Sequence, residues 1–181
     1  MDEAYIDYAG SGESVEAVAA ASANLVVCKS LSKAYALSGA RVGYLCGPPA
    51  LMRALRRVTP PWAVSLLAQV AAVAALHDPA YYAQRYAETA RLRVALVSSL
   101  RQAVPGMVVH DGVANYVLCD LPAGGPDAAC ACERCRAHDI YLREFGAVSP
   151  VLGRHALRIA VKDASTNLRV VEALTEALAA A

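Results

Sequence analysis

Ser30-Leu31-Ser32-Lys33-Ala34-Tyr35-Ala36-Leu37-Ser38-Gly39-Ala40-Arg41-Val42-Gly43-Tyr44 carries most of the chemistry legible in this chain. Just before it, Asn24-Leu25-Val26-Val27-Cys28 is a short apolar run with β-branched residues, which predicts a buried parallel strand. Just after, Arg41-Val42-Gly43-Tyr44-Leu45-Cys46-Gly47 predicts a second strand, closed by Gly47-Pro48-Pro49. The loop between them is built of small residues and holds two hydroxyls, a lysine and an arginine. A buried lysine is costly to keep charged, and its neutral amine is the form that attacks carbonyls. The stretch suggests a Schiff-base lysine at Lys33, with Ser30, Ser32 and Arg41 placed to hold an anion such as a phosphate. An ordinary surface lysine in a strand-to-strand loop is the other reading of the same residues.

A second motif, Asp2-Glu3-Ala4-Tyr5, stands at the start of the chain. A carboxylate, a tyrosine, a serine, a lysine and an arginine at these spacings resemble the pyridoxal-phosphate site of fold-type I enzymes. More narrowly, the chain resembles class I/II aminotransferases of the histidinol-phosphate aminotransferase branch. That branch writes its site as D-E-A-Y, then T/S-x-S-K-x-[YF]-x-L-[AS]-G-x-R-x-G-[YF], and nearly every position matches. The resemblance implies pyridoxal 5'-phosphate as cofactor, with Lys33 condensing with its aldehyde. Asp2 then pairs with the pyridinium nitrogen, which makes the ring an electron sink. Tyr5 donates to the phenolic oxygen of the ring, and Ser30 and Arg41, with Ser32 in a lesser part, take the phosphate. The implied substrates are an amino acid and a 2-oxo acid, and the implied assembly is a homodimer with a shared active site.

The implied fold class is α/β: the C-terminal portion of a fold-type I large domain, with a mostly parallel sheet, followed by a small α+β domain. The expected boundaries are 1–76 for the cofactor-binding part, 77–104 for an interdomain helix and 105–181 for the small domain. Members of this branch extend well upstream of the D-E-A-Y strand, so only a C-terminal half is represented; a truncated chain is expected, with an upstream half supplied by another polypeptide as the alternative.

Length and composition are enough for one core. The 181 residues are 57% hydrophobic and 18% charged with a formal net charge of +1, a balance that gives no hint of nucleic acid. No run has the length of a membrane span, and Met1 leads straight into Asp2 and Glu3 with no secretory signal, so a cytoplasmic protein is expected. Of the six cysteines, Cys28, Cys46 and Cys119 fall in predicted strands as small buried hydrophobes, and all are expected as free thiols.

Asp2 to Tyr8 reads as a strand end and Ser14 to Ala23 as a short alanine-rich helix. Pro48-Pro49-Ala50 begins a helix through Val58, where a proline is tolerated because its missing N–H has no partner to lose. Ala63 to Leu76 has Ser65 and Gln69 as its only polar residues and predicts a helix buried all round. Pro79 opens a long helix to about Val104 with Tyr82, Tyr86, Leu92, Leu96 and Leu100 at near-helical spacing. Its tyrosines read as packing residues.

In the remainder, Met107 to His110, Ala114 to Asp120, Asp139 to Phe145 and Ala156 to Val161 read as strands. Asp127 caps a helix to His138, and Ser165-Thr166 precede a closing helix, Asn167 to Ala180. Arg158 lies amid an apolar strand and must meet an anion, for which its planar guanidinium is suited. By the family's L-R-I-[ST]-V strand it holds the substrate carboxylate or an equivalent anion, and by the A-N-[FY]-V-L strand Asn115 lies near the substrate. Cys130-Ala131-Cys132-Glu133-Arg134-Cys135 invites a metal reading. Cys132 and Cys135 share a helix face while Cys130 points elsewhere, so no metal is predicted. Val161-Lys162-Asp163 departs from the family's V-G-[TS], which bears on substrate identity. The function expected is a pyridoxal-phosphate-dependent aminotransferase. The alternatives are a decarboxylase, lyase or cyclase on the same scaffold, and an inactive fragment.

Overall fold

The computed structural model describes residues 1–10, 12–146 and 148–179, which fall into two compact units, Met1–Ala87 and Glu88–Ala181. In the first unit the chain start runs beside strand β1 (Val27–Ser30). Asp2 bridges Cys28 in parallel: Cys28 N–H donates to Met1 O and Glu3 N–H to Cys28 O, each at 2.9 Å. The strand end expected over Asp2 to Tyr8 stops there. Tyr8 N–H turns back to Tyr5 O and Ala9 N–H to Ile6 O, closing the 3-10 turn Ile6–Tyr8 before a ladder can extend. Helix α1 (Glu16–Ala21) leads into β1.

Strand β2 (Gly43–Cys46) pairs antiparallel with β1, setting Val27 opposite Cys46 and Ser30 opposite Gly43. Among the described residues, parallel pairing at β1 is therefore confined to the Asp2–Cys28 bridge. A parallel neighbour needs a crossover, commonly a helix, whereas residues 31–42 form a chain of turns that brings the strand back alongside. Leu37 N–H donates to Leu31 O at 3.0 Å, Ala40 N–H to Leu37 O at 3.1 Å and Leu31 N–H to Val42 O at 3.2 Å.

Helix α2 (Pro49–Val58) starts at its proline and presents Arg53, Arg56 and Arg57 to solvent. Helix α3 (Leu66–Leu76) is capped by Ser65 Oγ, which accepts from Ala68 N–H at 3.2 Å. Its burial differs from the expectation. Ala68, Ala72 and Ala75 are buried, while Leu66 is 74% and Leu67 83% exposed and Trp62, just upstream, 94%. The reason lies in what it packs against: Ala68 and Ala72 support Leu31 and Val42 at the two ends of the lysine loop, and small side chains permit that approach. The long helix α4 (Pro79–Ala103) gives its first turns to this unit, where Tyr82 lies 4.7 Å from the Tyr35 ring and Tyr86 5.3 Å from the Tyr8 ring. The tyrosines are packing residues, as read.

The second unit is a four-stranded antiparallel sheet with helices on one face. Strands β3 (Val108–Val109), β4 (Tyr116–Asp120), β5 (Arg143–Glu144) and β6 (Ala156–Ala160) lie in the order β3-β4-β6-β5. Helices α5 (Ala128–Arg136) and α6 (Ala164–Ala179) complete it. Val117 and Cys119 of β4 and Leu157 and Ile159 of β6 are buried against Leu96 and Leu100 of α4, Cys132 and Cys135 of α5 and Val170 and Leu174 of α6. Tyr116, Leu118 and Arg158 alternate to the opposite, half-open face, as the pleat requires.

The expected strand over Asp139 to Phe145 shrinks to β5. Asp139 takes a left-handed φ of +58° and Ile140 N–H donates to Cys135 O at 3.1 Å, so these residues end α5 instead. At its other end, Asp127 caps α5 through Cys130 N–H at 2.9 Å, as predicted. Helix α6 starts earlier than expected, with Ser165 and Thr166 in its first turn; Ala180 lies outside the described residues. Its cap is Asp163, whose carboxylate accepts from Ser165 Oγ at 2.6 Å, Thr166 N–H at 2.9 Å and Thr166 Oγ1 at 2.7 Å. Those bonds, led by Ser165, hold the Asp163 carboxyl well below the usual carboxylate range. Aspartate is as good an N-cap as the serine or threonine it replaces. The departure at this position therefore keeps the helix start intact.

Among the described residues no group of three or more His, Cys, Asp or Glu side chains could hold a metal ion. All six cysteines are free. Burial pushes the Cys135 thiol up to about 11, and burial followed by the Asp120 carboxylate pushes Cys119 up to about 12. Cys28, expected as a buried strand residue, is exposed because it alternates to the outer face of β1. Iodoacetamide at pH 8 followed by peptide mass spectrometry is expected to label Cys28 first and Cys119 and Cys135 last. Equal labelling of the three would contradict this packing.

Candidate active site

The residues singled out by the two motifs all lie in the first unit, where Ser30, Ser32 and Arg41 line a common concavity that does not include Asp2, Tyr5 or Lys33. Because Asp2 pairs with Cys28, and paired residues point to the same side of a sheet, Asp2, Cys28 and Ser30 share one face of β1. Ser30, Ser32 and Arg41 line one concavity of about 290 Å³ together with Cys28 and Gly43. Arg41 Nη1 reaches Ser32 Oγ at 3.3 Å and Ser38 O at 2.9 Å, and Ser32 N–H donates to Ser30 Oγ at 3.3 Å. Two hydroxyls and a guanidinium are thus gathered in one small space, a donor set suited to a phosphate.

The loop that does this is strained. Ala36 and Arg41 hold φ of +56° and +52°, a left-handed region that costs non-glycine residues of order 1–3 kcal/mol each. Gly43 is required for a different reason: a Cβ built on it lies 2.6 Å from Lys29 O and 3.3 Å from Ser30 Cα. The glycine of the R-x-G-Y signature therefore permits β2 to close on β1 where Ser30 stands.

Asp2 is exposed, one carboxylate oxygen accepting from Ala4 N–H at 2.9 Å. Tyr5 is half-buried, its carbonyl receiving Tyr8 N–H at 3.2 Å. Lys33 is exposed, and Tyr8 Oη donates to its carbonyl at 3.4 Å. The buried lysine of the loop region is instead Lys29, one position before Ser30 on the opposite face of β1. Its Nζ lies 3.5 Å from Asp7, 3.6 Å from Glu16 and 3.9 Å from Glu3. Burial alone would raise the Glu3 carboxyl, but Val15 N–H at 2.8 Å, Ser14 Oγ at 2.7 Å and Lys29 together bring it below its ordinary value. Tyr44, opposite Lys29 in the register, is pushed far up by burial and then by its hydrogen bond to Glu16. Sequence reasoning passed over this cluster, although the alternation Cys28-Lys29-Ser30 beside Asp2-Glu3 contains the signal: if Asp2 faces out, Glu3 and Lys29 face in.

In the second unit, Arg158 stacks over the Tyr116 ring with Cζ 4.1 Å from the centroid. It stands opposite Leu118 on one side and Arg143 on the other. Two arginines directly across from one another on the open face favour an anion between them. Asn115 receives Val161 N–H on its backbone carbonyl at 2.9 Å, while its buried Oδ1 finds no hydrogen-bond partner among the described residues.

An α/β unit carrying a lysine loop beside a carboxylate, joined in sequence to a small α+β unit, is the C-terminal organisation of a fold-type I transferase. The chain belongs to the aminotransferase class I and II family, whose model matches residues 1–177. It is 36% identical over 181 residues to the histidinol-phosphate aminotransferase of Paracidovorax citrulli, covering 98% of this chain and 47% of that protein, its C-terminal half. The solved histidinol-phosphate aminotransferase of Sinorhizobium meliloti in complex with pyridoxal-5'-phosphate is 26% identical with a TM-score of 0.84, over 97% of this chain and 47% of that one. The L-threonine-O-3-phosphate decarboxylase of Porphyromonas gingivalis is 25% identical with a TM-score of 0.81, over 97% and 53% of the two chains. The chain thus spans about half the length of the curated relatives it matches. Among the described residues no helix is long and apolar enough to cross a membrane.

Proposed function

We propose that this chain provides the lysine-bearing half of a pyridoxal-phosphate-dependent aminotransferase that moves an amino group between an amino acid, or a similar amine, and a 2-oxo acid. The observation that carries the reading is the shared face of Asp2 and Ser30, with Ser32 and Arg41 lining the same concavity. When bound, pyridoxal phosphate supplies an electron sink for negative charge at the substrate α-carbon. Ser30, Ser32 and Arg41 would hold its phosphate, Asp2 would pair with its ring nitrogen and Tyr5 with its phenolic oxygen. Lys33 Nζ would remove the proton from the substrate α-carbon as a base and, as an acid, give it up at the cofactor's C4′.

Arg158 binds the substrate's anionic group with Asn115 beside it, and Arg143 adds a second cation where that group is a phosphate. The proposed interdomain helix over 77–104 is supported by the helical run of α4, Pro79–Ala103. A homodimer is the assembly proposed for the whole protein, and the exposed Leu and Val face of α3 is apolar surface that such an assembly covers. Six free cysteines fit a reducing cytoplasm.

A second reading, decarboxylation, is favoured by the similarity to the threonine-phosphate decarboxylase. Incubation with cofactor, candidate amino acids and 2-oxo acids separates the two, since transamination releases a new 2-oxo acid and decarboxylation releases carbon dioxide. Arg158→Gln is expected to raise KM for the anionic substrate by about 10- to 100-fold, the loss of a charge-assisted pair of roughly 1.5–3 kcal/mol. An unchanged KM would remove Arg158 from the substrate site, and turnover of no amine at all would favour an inactive fragment.

A further inference from the structure

We propose that Lys29 is a positioning residue: its buried ion cluster locks the register of the chain start against β1, and so keeps Asp2, rather than Glu3, on the face that carries Ser30. The inference rests on the reading of Asp2 and Ser30 as cofactor-binding residues. Two neighbouring carboxylates, Asp2 and Glu3, compete for one role. Side chains alternate along an extended strand, so a slip of one residue exchanges their faces. The backbone contacts of the bridge are few: Cys28 N–H to Met1 O, Glu3 N–H to Cys28 O, and the terminal amine to Val26 O, each at 2.9 Å. Backbone bonds of this kind do not distinguish one register from the next.

The side chains do. Lys29 is 6% exposed and gathers carboxylates from three segments, Glu3 of the bridge, Asp7 of the 3-10 turn and Glu16 of α1. Glu3 also takes Ser14 Oγ at 2.7 Å and Val15 N–H at 2.8 Å, so its longer side chain is fixed at both oxygens. The shorter Asp2, brought inward by a slip, reaches these partners less well, and Glu3 is carried out to the cofactor face. Breaking a buried ion pair by removing one partner is strongly unfavourable because a charge is left confined. The in-register arrangement is the one that avoids this.

Backbone amide exchange on the full chain, read by NMR, tests the proposal. Lys29→Met is expected to speed exchange of the Glu3 and Cys28 amides at least tenfold. The Leu31 and Leu37 amides, bonded to Val42 and Leu31, should stay within twofold of the unsubstituted chain, and Lys29→Arg should restore protection at Glu3 and Cys28. Glu3→Gln, which keeps the hydrogen-bonding shape and removes the charge, should move the same two amides in the same direction and carries the test alone if Lys29→Met does not fold. Unchanged exchange at Glu3 and Cys28, an equal rise at all four amides, or no rescue by arginine would overturn the lock. Asp2→Asn reads the underlying assignment separately. It is expected to leave exchange untouched and to weaken titrated binding of pyridoxal 5'-phosphate, and unweakened binding would strike the role of Asp2 while leaving the lock in place.

Discussion

Borohydride treatment in the presence of pyridoxal 5'-phosphate is expected to fix the cofactor to the peptide containing Lys33, and Lys33→Ala to carry no label. The chain has three lysines, which makes the outcome decisive. Lys29 is buried on the inner face of β1, where its Nζ is engaged by Glu3, Asp7 and Glu16. Lys162 is exposed in the other unit, where its backbone, rather than its amine, is engaged by Asn167. Lys33 stands exposed in the loop beside the Ser30, Ser32 and Arg41 concavity. In the whole protein, loss of its proton transfer alone is expected to lower turnover by about 10²–10⁴-fold. Lys33→Arg should not restore it, because a guanidinium stays charged at any accessible pH. Mass spectrometry of the reduced, digested protein is the measurement. A label on Lys29 or Lys162, or none, would end the proposed assignment.

Gly43→Ala is expected to be the most damaging single methyl added to the first unit. The new Cβ meets Lys29 O at 2.6 Å and Ser30 Cα at 3.3 Å, and both neighbours are backbone atoms that cannot rotate away. Strand β2 must shift from β1, at a cost of about 1–3 kcal/mol for overpacking of this kind. For a unit of this size each kcal/mol lowers Tm by roughly 4–8 °C. The same shift displaces Ser30, so phosphate-dependent cofactor binding should weaken together with stability. Gly39→Ala is the control, since a Cβ there meets nothing within 4 Å. Thermal unfolding of the two variants side by side would show whether the close approach or merely the loop's glycine content matters. Equal Tm values would refute the packing argument.

What the sequence revealed follows from how local each signal is. The lysine loop, the strand after it, the proline-started helices and the Asp127 cap depend on neighbours a few residues apart, and all are found; the strand before the loop, expected buried and parallel over Asn24 to Cys28, lies at Val27–Ser30 and pairs antiparallel with β2. The environment of Lys33 was less legible: small and apolar neighbours in sequence suggested burial, but in space they pack inward and leave the lysine exposed. Helix α3 shows the same limit. An all-apolar stretch says that some partner is needed, not which face meets it, and here the alanines face the loop. The Lys29 cluster joins residues from four segments, so it emerges only once the Asp2–Cys28 bridge fixes which side chains look inward. Asp163 was noticed as a departure from the family pattern, but its work as a helix cap became evident from its bonds to Ser165 and Thr166.

The contact of the Arg158 guanidinium with the Tyr116 ring bears on how the proposed substrate site would choose its ligands. A long, freely rotating cation loses much of its rotamer freedom on capture, commonly ~2 kcal/mol for arginine. Here the guanidinium already rests against the aromatic ring, so in the proposed site an incoming anion would meet a side chain that has given up part of that freedom on folding. On that proposal, discrimination between one acid group and another would pass to the residues around the arginine, such as Arg143 across the strand. New substrate preferences would then arise by exchanging those neighbours while the arginine and its ring remain.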